Sequence, residues 1–178
     1  MVQLIIINGI GGSGKSTFCG YCKVAAQDRA HVYELSTVDY IKKVASMCGW
    51  NGGKTTKDRT FLSDLKMAFT KWNNAPINEV FNSIKRSIKE SPEDNHIFFI
   101  NSREPEDIEV IYNKAKKAGY PIIRILVHNP NIVVNEVPEL IEGITSITYD
   151  KYIENDKDIH NLYKKAEEFI TEILKQLK

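Results

Sequence analysis

Apolar residues follow two alternating patterns along this chain. Short runs rich in β-branched residues, VQLIIIN at 2–8, HVYEL at 31–35, HIFFIN at 96–101 and PIIRILVH at 121–128, alternate with longer stretches whose apolar positions recur every three or four residues. The runs read as strands buried between layers, and the longer stretches as amphipathic helices. The pattern predicts a strand from Val2 to Asn8, a helix from Lys15 to near Arg29 and a short strand ending at Leu35. Ser36 or Thr37 can cap the next helix, which carries Ile41, Val44, Ala45 and Cys48 at helical spacing. The glycines of CGWNGGKTT stop it. Further helices are expected from Lys57 to Trp72, with Phe61, Leu65 and Phe69 as core positions, and from Pro76 to Glu90. After the third strand, a helix from Pro105 to Ala118 ends at Gly119, and Pro121 to His128 forms the fourth strand. An irregular stretch, a short strand around Tyr152 to Glu154 and a last helix from Asp158 to Leu177 complete the prediction.

Strands separated by helices predict an α/β fold: a parallel sheet of about five strands in three layers, with helices on both faces and right-handed crossovers. Ligands in such sheets sit beyond the carboxyl ends of the strands. Four segments lie there: Gly9 to Thr17, Ser36 to Lys42, Asn101 to Pro105 and Asn129 to Asp150. The 178 residues suit one domain, and no repeat or Pro/Ser-rich linker divides them. Within it, residues 37–90 read as a helical insertion and 129–150 as a short lid.

Composition narrows the partners. No apolar run reaches the roughly 20 residues of a membrane span, and VQLIIIN leads straight into glycines, as a buried strand does and a signal peptide does not. A membrane partner is not expected, and the cytoplasm is the expected location. A net charge of +1 with no basic block argues against a polynucleotide partner. Monomer and homodimer both remain open. Cys19 and Cys22 form a C-x-x-C, but the spacing falls a turn inside the first helix, whose mouth the glycine loop occupies. With no second close-spaced pair for a zinc site, both read as structural thiols.

The chemistry lies in GIGGSGKST, residues 9–17, which fits G-x-x-x-x-G-K-[ST] between an apolar strand and a helix. The pattern predicts the phosphate-binding loop of a P-loop NTPase fold. In such a loop Gly9, Gly11, Gly12, Ser13 and Gly14 are expected to let backbone N–H groups wrap a triphosphate, Lys15 to reach the β- and γ-phosphates, Ser16 to offer its hydroxyl to Mg²⁺ and Thr17 to support the loop. ATP and Mg²⁺ are therefore the expected cofactors. A GTPase is disfavoured because no D-x-x-G occurs and NDKD at 155–158 lacks the N-K-x-D spacing; a motor would need more chain. A small kinase remains, with a second pocket for an acceptor.

At this point the chain resembles the nucleoside and nucleotide monophosphate kinases. LSTVDYIK, residues 35–42, is similar to the STGD-x-x-R segment of adenylate kinases, which touches the acceptor nucleotide. That resemblance implies that Thr37 reaches an acceptor base and Lys42 holds its phosphate where the family has arginine; Val38 replaces the family's glycine. YIENDKDIHNL, late in the chain, resembles the final strand and helix start of deoxynucleoside monophosphate, dephospho-CoA and animal-type phosphomevalonate kinases. KDRTFLSDLKMAF and NSREPEDI resemble phage-type deoxynucleotide kinase relatives. The implied reaction moves the γ-phosphoryl group of ATP to a nucleoside or deoxynucleoside monophosphate. Dephospho-CoA or phosphomevalonate is the alternative acceptor, and a nucleotide-binding module with little turnover the alternative role.

Five arginines stand against nineteen lysines, so an arginine at a strand end is informative. Arg103, just past the third strand, suits a phosphate in a bidentate grip or an ion pair with Glu104 or Glu106. Arg59 suits the acceptor or solvent, whereas Arg86 and Arg124, in mid-helix and mid-strand, read as structural. Asp39 is the best-placed carboxylate by sequence, as a base or water-orienting group, or as a helix cap. The catalytic set expected is Lys15, Asp39 and Arg103, with Thr37, Lys42, Arg59 and Arg103 on the substrate. Two departures stand out. Asn101 occupies the strand end where relatives place aspartate, and residues 129–150 contain neither arginine nor lysine.

Overall fold

In a computed structural model the protein is described over residues 1–132 and 143–177. The elements are β1 (Val2–Asn8), α1 (Lys15–Ala26), β2 (His31–Ser36), α2 (Thr37–Met47), α3 (Thr56–Asn73), α4 (Ala75–Glu90), β3 (His96–Asn101), α5 (Pro105–Lys117), β4 (Ile122–His128), β5 (Lys151–Glu154) and α6 (Ile159–Gln176). The strands make one five-stranded sheet in the order β2-β3-β1-β4-β5, and β1 runs parallel to both its neighbours. The middle of the expected lid, residues 133–142, lies outside the described residues.

The chain divides into two compact units, Met1–Glu34 with Ser91–Lys178, and Leu35–Glu90. In the first, β1 is buried on both faces, which is why its sequence is a continuous apolar run. Ile5 and Ile7 share one face with Ile97, Phe99, Ile125 and Val127, against Phe18 and Cys22 of α1 and Phe169, Ile170 and Ile173 of α6. Phe18 meets Phe99 edge-on at 6.3 Å between centroids and Phe169 at 5.5 Å, a geometry that adds to simple burial. On the opposite face α5 packs on β1 and β4 and buries Ile108, Ile111 and Ala115. Arg124 of β4 stacks on Tyr112 of α5 at 4.0 Å and pairs with Glu109 at 3.2 Å.

The α-helical part of α1 stops at Ala26, three residues short of the expected Arg29. Gln27 takes a positive φ of 51°, and Gln27–Arg29 tightens into a 3₁₀ turn. The Arg29 guanidinium bends back to donate to the carbonyls of Ala25 (2.6 Å) and Ala26 (3.2 Å) at the end of the helix. Cys19 and Cys22 are buried free thiols, and burial is the main cause pushing both thiols far up, away from the reactive thiolate.

The second unit is a three-helix arrangement in which α2, α3 and α4 pack on one another. Ser36 Oγ accepts from the Val38 N–H while Asp39 accepts from the Ser36 N–H at 2.9 Å, a capping box that starts α2. Thr55 and Asp58 form the same device for α3. Tyr40 meets Phe69 edge-on at 5.6 Å. The expectation that Phe61, Leu65 and Phe69 form core is corrected: α3 has no fully buried residue, and Phe61 is 39% exposed. α3 packs on both α2 and α4, yet leaves apolar side chains in solvent, Met67 49% and Trp72 76% exposed.

Two glycines in consecutive elements should respond oppositely to alanine. Gly9 has φ 143°, and a Cβ there would overlap the Val127 carbonyl oxygen, a backbone atom, so Gly9→Ala should lower unfolding stability by about 2 kcal/mol or more. Gly20 lies within α1 with open space around it, so Gly20→Ala should raise stability by about 1 kcal/mol. Urea melts of the two variants check both signs.

Candidate phosphate-binding site

The link between β1 and α1 is organised by side chains that turn its carbonyl groups inward. Lys15 Nζ donates to the Gly9 carbonyl at 2.6 Å and the Ile10 carbonyl at 2.7 Å. Asn155, just past β5, donates to the Ser13 carbonyl at 3.0 Å, and its own N–H donates to the His128 carbonyl at 2.7 Å. Gly14 is left-handed, φ 101°, so that the chain can enter α1, and a Cβ on it would press on the Asn155 amide at 2.6 Å. With these carbonyls engaged, the first amides of α1, at Lys15, Ser16 and Thr17, are the donors that a helix start leaves without an intrahelical carbonyl, backed by the helix dipole. Phe18 N–H, which donates to the Gly14 carbonyl at 2.8 Å, is where helical bonding begins.

The other end of the loop is tied down by Asn8, buried at the end of β1. Its Oδ1 accepts from the Gly9 N–H at 2.7 Å and its Nδ2 donates to the Tyr149 hydroxyl at 2.8 Å, which in turn donates to the Ile144 carbonyl at 3.1 Å. Burial, the larger effect, pushes the Tyr149 hydroxyl up to about 12, so it remains a donor at neutral pH. Beside the loop an apolar cleft of about 260 Å³ opens between Gly9, Ile10, Val127, Ile132 and Ile144.

Ser16, exposed in the first turn of α1, donates to Glu34 Oε1 at 2.7 Å; Glu34 stands near the carboxyl end of β2. Asn101, at the end of β3, donates its amide to the same oxygen at 2.8 Å. α1, β2 and β3 thus bring a hydroxyl, a carboxylate and an amide together beside the loop. Sequence reasoning passed over Glu34, Asn8, Tyr149 and Asn155. A signal for Glu34 was present: a carboxylate one residue from the predicted end of a strand, on the ligand edge.

The expected loop residues Gly9, Gly11, Gly12, Ser13, Gly14, Lys15, Ser16 and Thr17 form one continuous turn and helix start. Arg103 lies half-buried in the link between β3 and α5. Thr37, Asp39, Lys42 and Arg59 all belong to the second unit. There Thr37 is buried at the start of α2, Lys42 is exposed on α2, Arg59 is exposed in the first turn of α3, and one oxygen of Asp39 is engaged in the helix cap.

No family model matches the chain, and no curated protein matches it in sequence. Among solved structures, the chain is similar to a tunicamycin resistance protein from Deinococcus radiodurans, with a TM-score of 0.60 and 9% identity over 96% of each chain. It is also similar to a candidate kinase from Chloroflexus aurantiacus, with a TM-score of 0.53 and 16% identity over 96% of each chain. An APS kinase from Mycobacterium tuberculosis, in complex with AMPPNP and APS, matches at a TM-score of 0.48 and 14% identity, over 98% of this chain and 96% of that one. At these identities the likeness is one of fold. With the five-stranded sheet, the central β1 and the glycine loop leading into α1, the chain has the P-loop NTPase fold.

Proposed function

We propose that the protein is an ATP- and Mg²⁺-dependent kinase that transfers the γ-phosphoryl group to a small phosphorylated acceptor, a nucleoside or deoxynucleoside monophosphate. The observation that carries this reading is the loop between β1 and α1, whose carbonyls are held by Lys15 and Asn155 and which opens directly into α1, a helix start of the kind that suits phosphate oxygens. Lys15 is then the mobile charge: its ammonium, resting on two carbonyls, exchanges them for β- and γ-phosphate oxygens. The oxygen donors beside the loop, Ser16 above all, suit a hard cation such as Mg²⁺, and no group of three His, Cys, Asp or Glu among the described residues offers a competing site. Bound Mg²⁺ would neutralise the charge that develops on the phosphates.

On the acceptor side, Arg103 supplies a planar fork for a phosphate, and Lys42 and Arg59 supply further positive charge. Thr37 and Asp39 belong to the segment similar to the acceptor-contacting stretch of adenylate kinases. Asp39 keeps one carboxylate oxygen for the cap and offers the other to an acceptor hydroxyl or a water. For a phosphate acceptor this is positioning, since no strong base is needed. Dephospho-CoA or phosphomevalonate would use the same machinery as alternative acceptors. One observation favours a second reading, a nucleotide-binding module with little turnover: the stretch 129–150 contains no cation to stabilise the transferring group.

Wild-type protein should gain thermal stability from Mg·ATP, about 2.7 kcal/mol at a hundredfold excess over Kd, and Lys15→Ala should lose that gain. Unchanged stabilisation in Lys15→Ala would remove the loop from the mechanism. With a panel of nucleoside monophosphates, dephospho-CoA and phosphomevalonate, acceptor-dependent ADP formation is expected for a nucleoside monophosphate; ATP binding without any acceptor response supports the module. Arg103→Ala should preserve ATP binding while cutting transfer at least tenfold, and wild-type transfer rates would assign that arginine to structure.

A further inference from the structure

The geometry points to Glu34, on β2, as the acidic residue that meets the nucleotide-bound divalent cation in this protein, with Asn101 of β3 as the neutral residue that holds its carboxylate in place. The inference rests on the proposed nucleotide-binding role of the loop and deepens it. A phosphate loop supplies a Ser or Thr hydroxyl to the cation, and a carboxylate from a neighbouring strand completes the protein side of its shell. Asn101 occupies the expected strand end and carries no charge. The carboxylate is nevertheless there, one strand over.

Three details favour this arrangement over a surface hydrogen bond. A hydroxyl that ligates a cation through its oxygen keeps its proton, and that proton needs an acceptor; Glu34 Oε1 takes it from Ser16 at 2.7 Å. Asn101 Nδ2 donates to the same Oε1 at 2.8 Å, so both bonds fix one oxygen and Oε2 is the one that turns to the cation or to a water bound to it. Lastly, an aspartate at 101 would set a second carboxylate against the first, and two such groups in contact disfavour joint ionisation. An amide at 101 is the complement that a glutamate at 34 requires. A carboxylate on β2 paired with an amide on β3 thus accounts for Asn101 standing where the resemblance leads one to expect aspartate.

The test measures binding of the nonhydrolysable analogue AMPPNP by calorimetry, with and without Mn²⁺, and the bound Mn²⁺ by electron paramagnetic resonance. Wild-type protein should bind AMPPNP at least tenfold more tightly with Mn²⁺. Glu34→Gln preserves the two hydrogen bonds in shape and should abolish most of that gain while leaving metal-free affinity equal or higher. The exchanged double variant, Glu34→Gln with Asn101→Asp, should recover a substantial part of the gain, a result that a purely structural role of Glu34 would not produce. Full metal dependence in Glu34→Gln, or a wild type indifferent to Mn²⁺ while still binding AMPPNP, overturns the assignment of Glu34 and leaves the phosphate loop standing. A wild type that binds no AMPPNP under either condition overturns the loop reading and this inference together.

Discussion

The loop between β1 and α1 depends on side chains that hold its backbone polar groups from three places. Lys15 holds the carbonyls of Gly9 and Ile10 from within the loop, Asn155 holds that of Ser13 from beyond β5, and Asn8 fixes the Gly9 amide from the end of β1. Each is a short polar contact in a part-buried or buried setting, where an unmade hydrogen bond would cost roughly 1–3 kcal/mol. Asn155 and Asn8 thus tie the loop to the strands around it, while Lys15 rests on carbonyls within the loop itself.

That dependence explains the placement of the core. β1 lies at the centre of the sheet, clamped by β3 and β4, and its apolar residues are buried on both faces between α1 and α6 on one side and α5 on the other. Gly9 follows directly and passes so close to the Val127 carbonyl of β4 that no side chain fits. Strand packing and loop geometry are thus one constraint. Asn8 extends it to residues 144–149 through the Tyr149 hydroxyl, so the base of the expected lid and the start of the loop share a hydrogen-bonded chain.

Charge is distributed in an unusual way around this frame. The strand end of β3 carries an amide, β2 carries the acid, and residues 129–150 carry no positive charge. The first unit carries Lys15 at the start of α1 and Arg103 in the link between β3 and α5.

Much of this was legible in the sequence because it depends on local rules. Two-sided burial makes VQLIIIN and HIFFIN continuous apolar runs, Ser36 with Asp39 and Thr55 with Asp58 carry the spacing of capping boxes, and the spacing of Gly9, Gly14, Lys15 and Ser16 specifies a phosphate loop. The end of α1 was misjudged because Arg29 folds back on carbonyls that a linear pattern cannot reveal, and the apolar positions of α3 were assigned to core because periodicity does not say how much of a stripe a neighbour covers. The chain itself thus determined the strand and helix sequence, the loop and its lysine. Only the tertiary structure could bring Glu34 to Ser16 and Asn101, and Asn155 to Ser13, because those partners lie 18 to 142 residues apart and meet through the parallel order of strands, which no local pattern encodes.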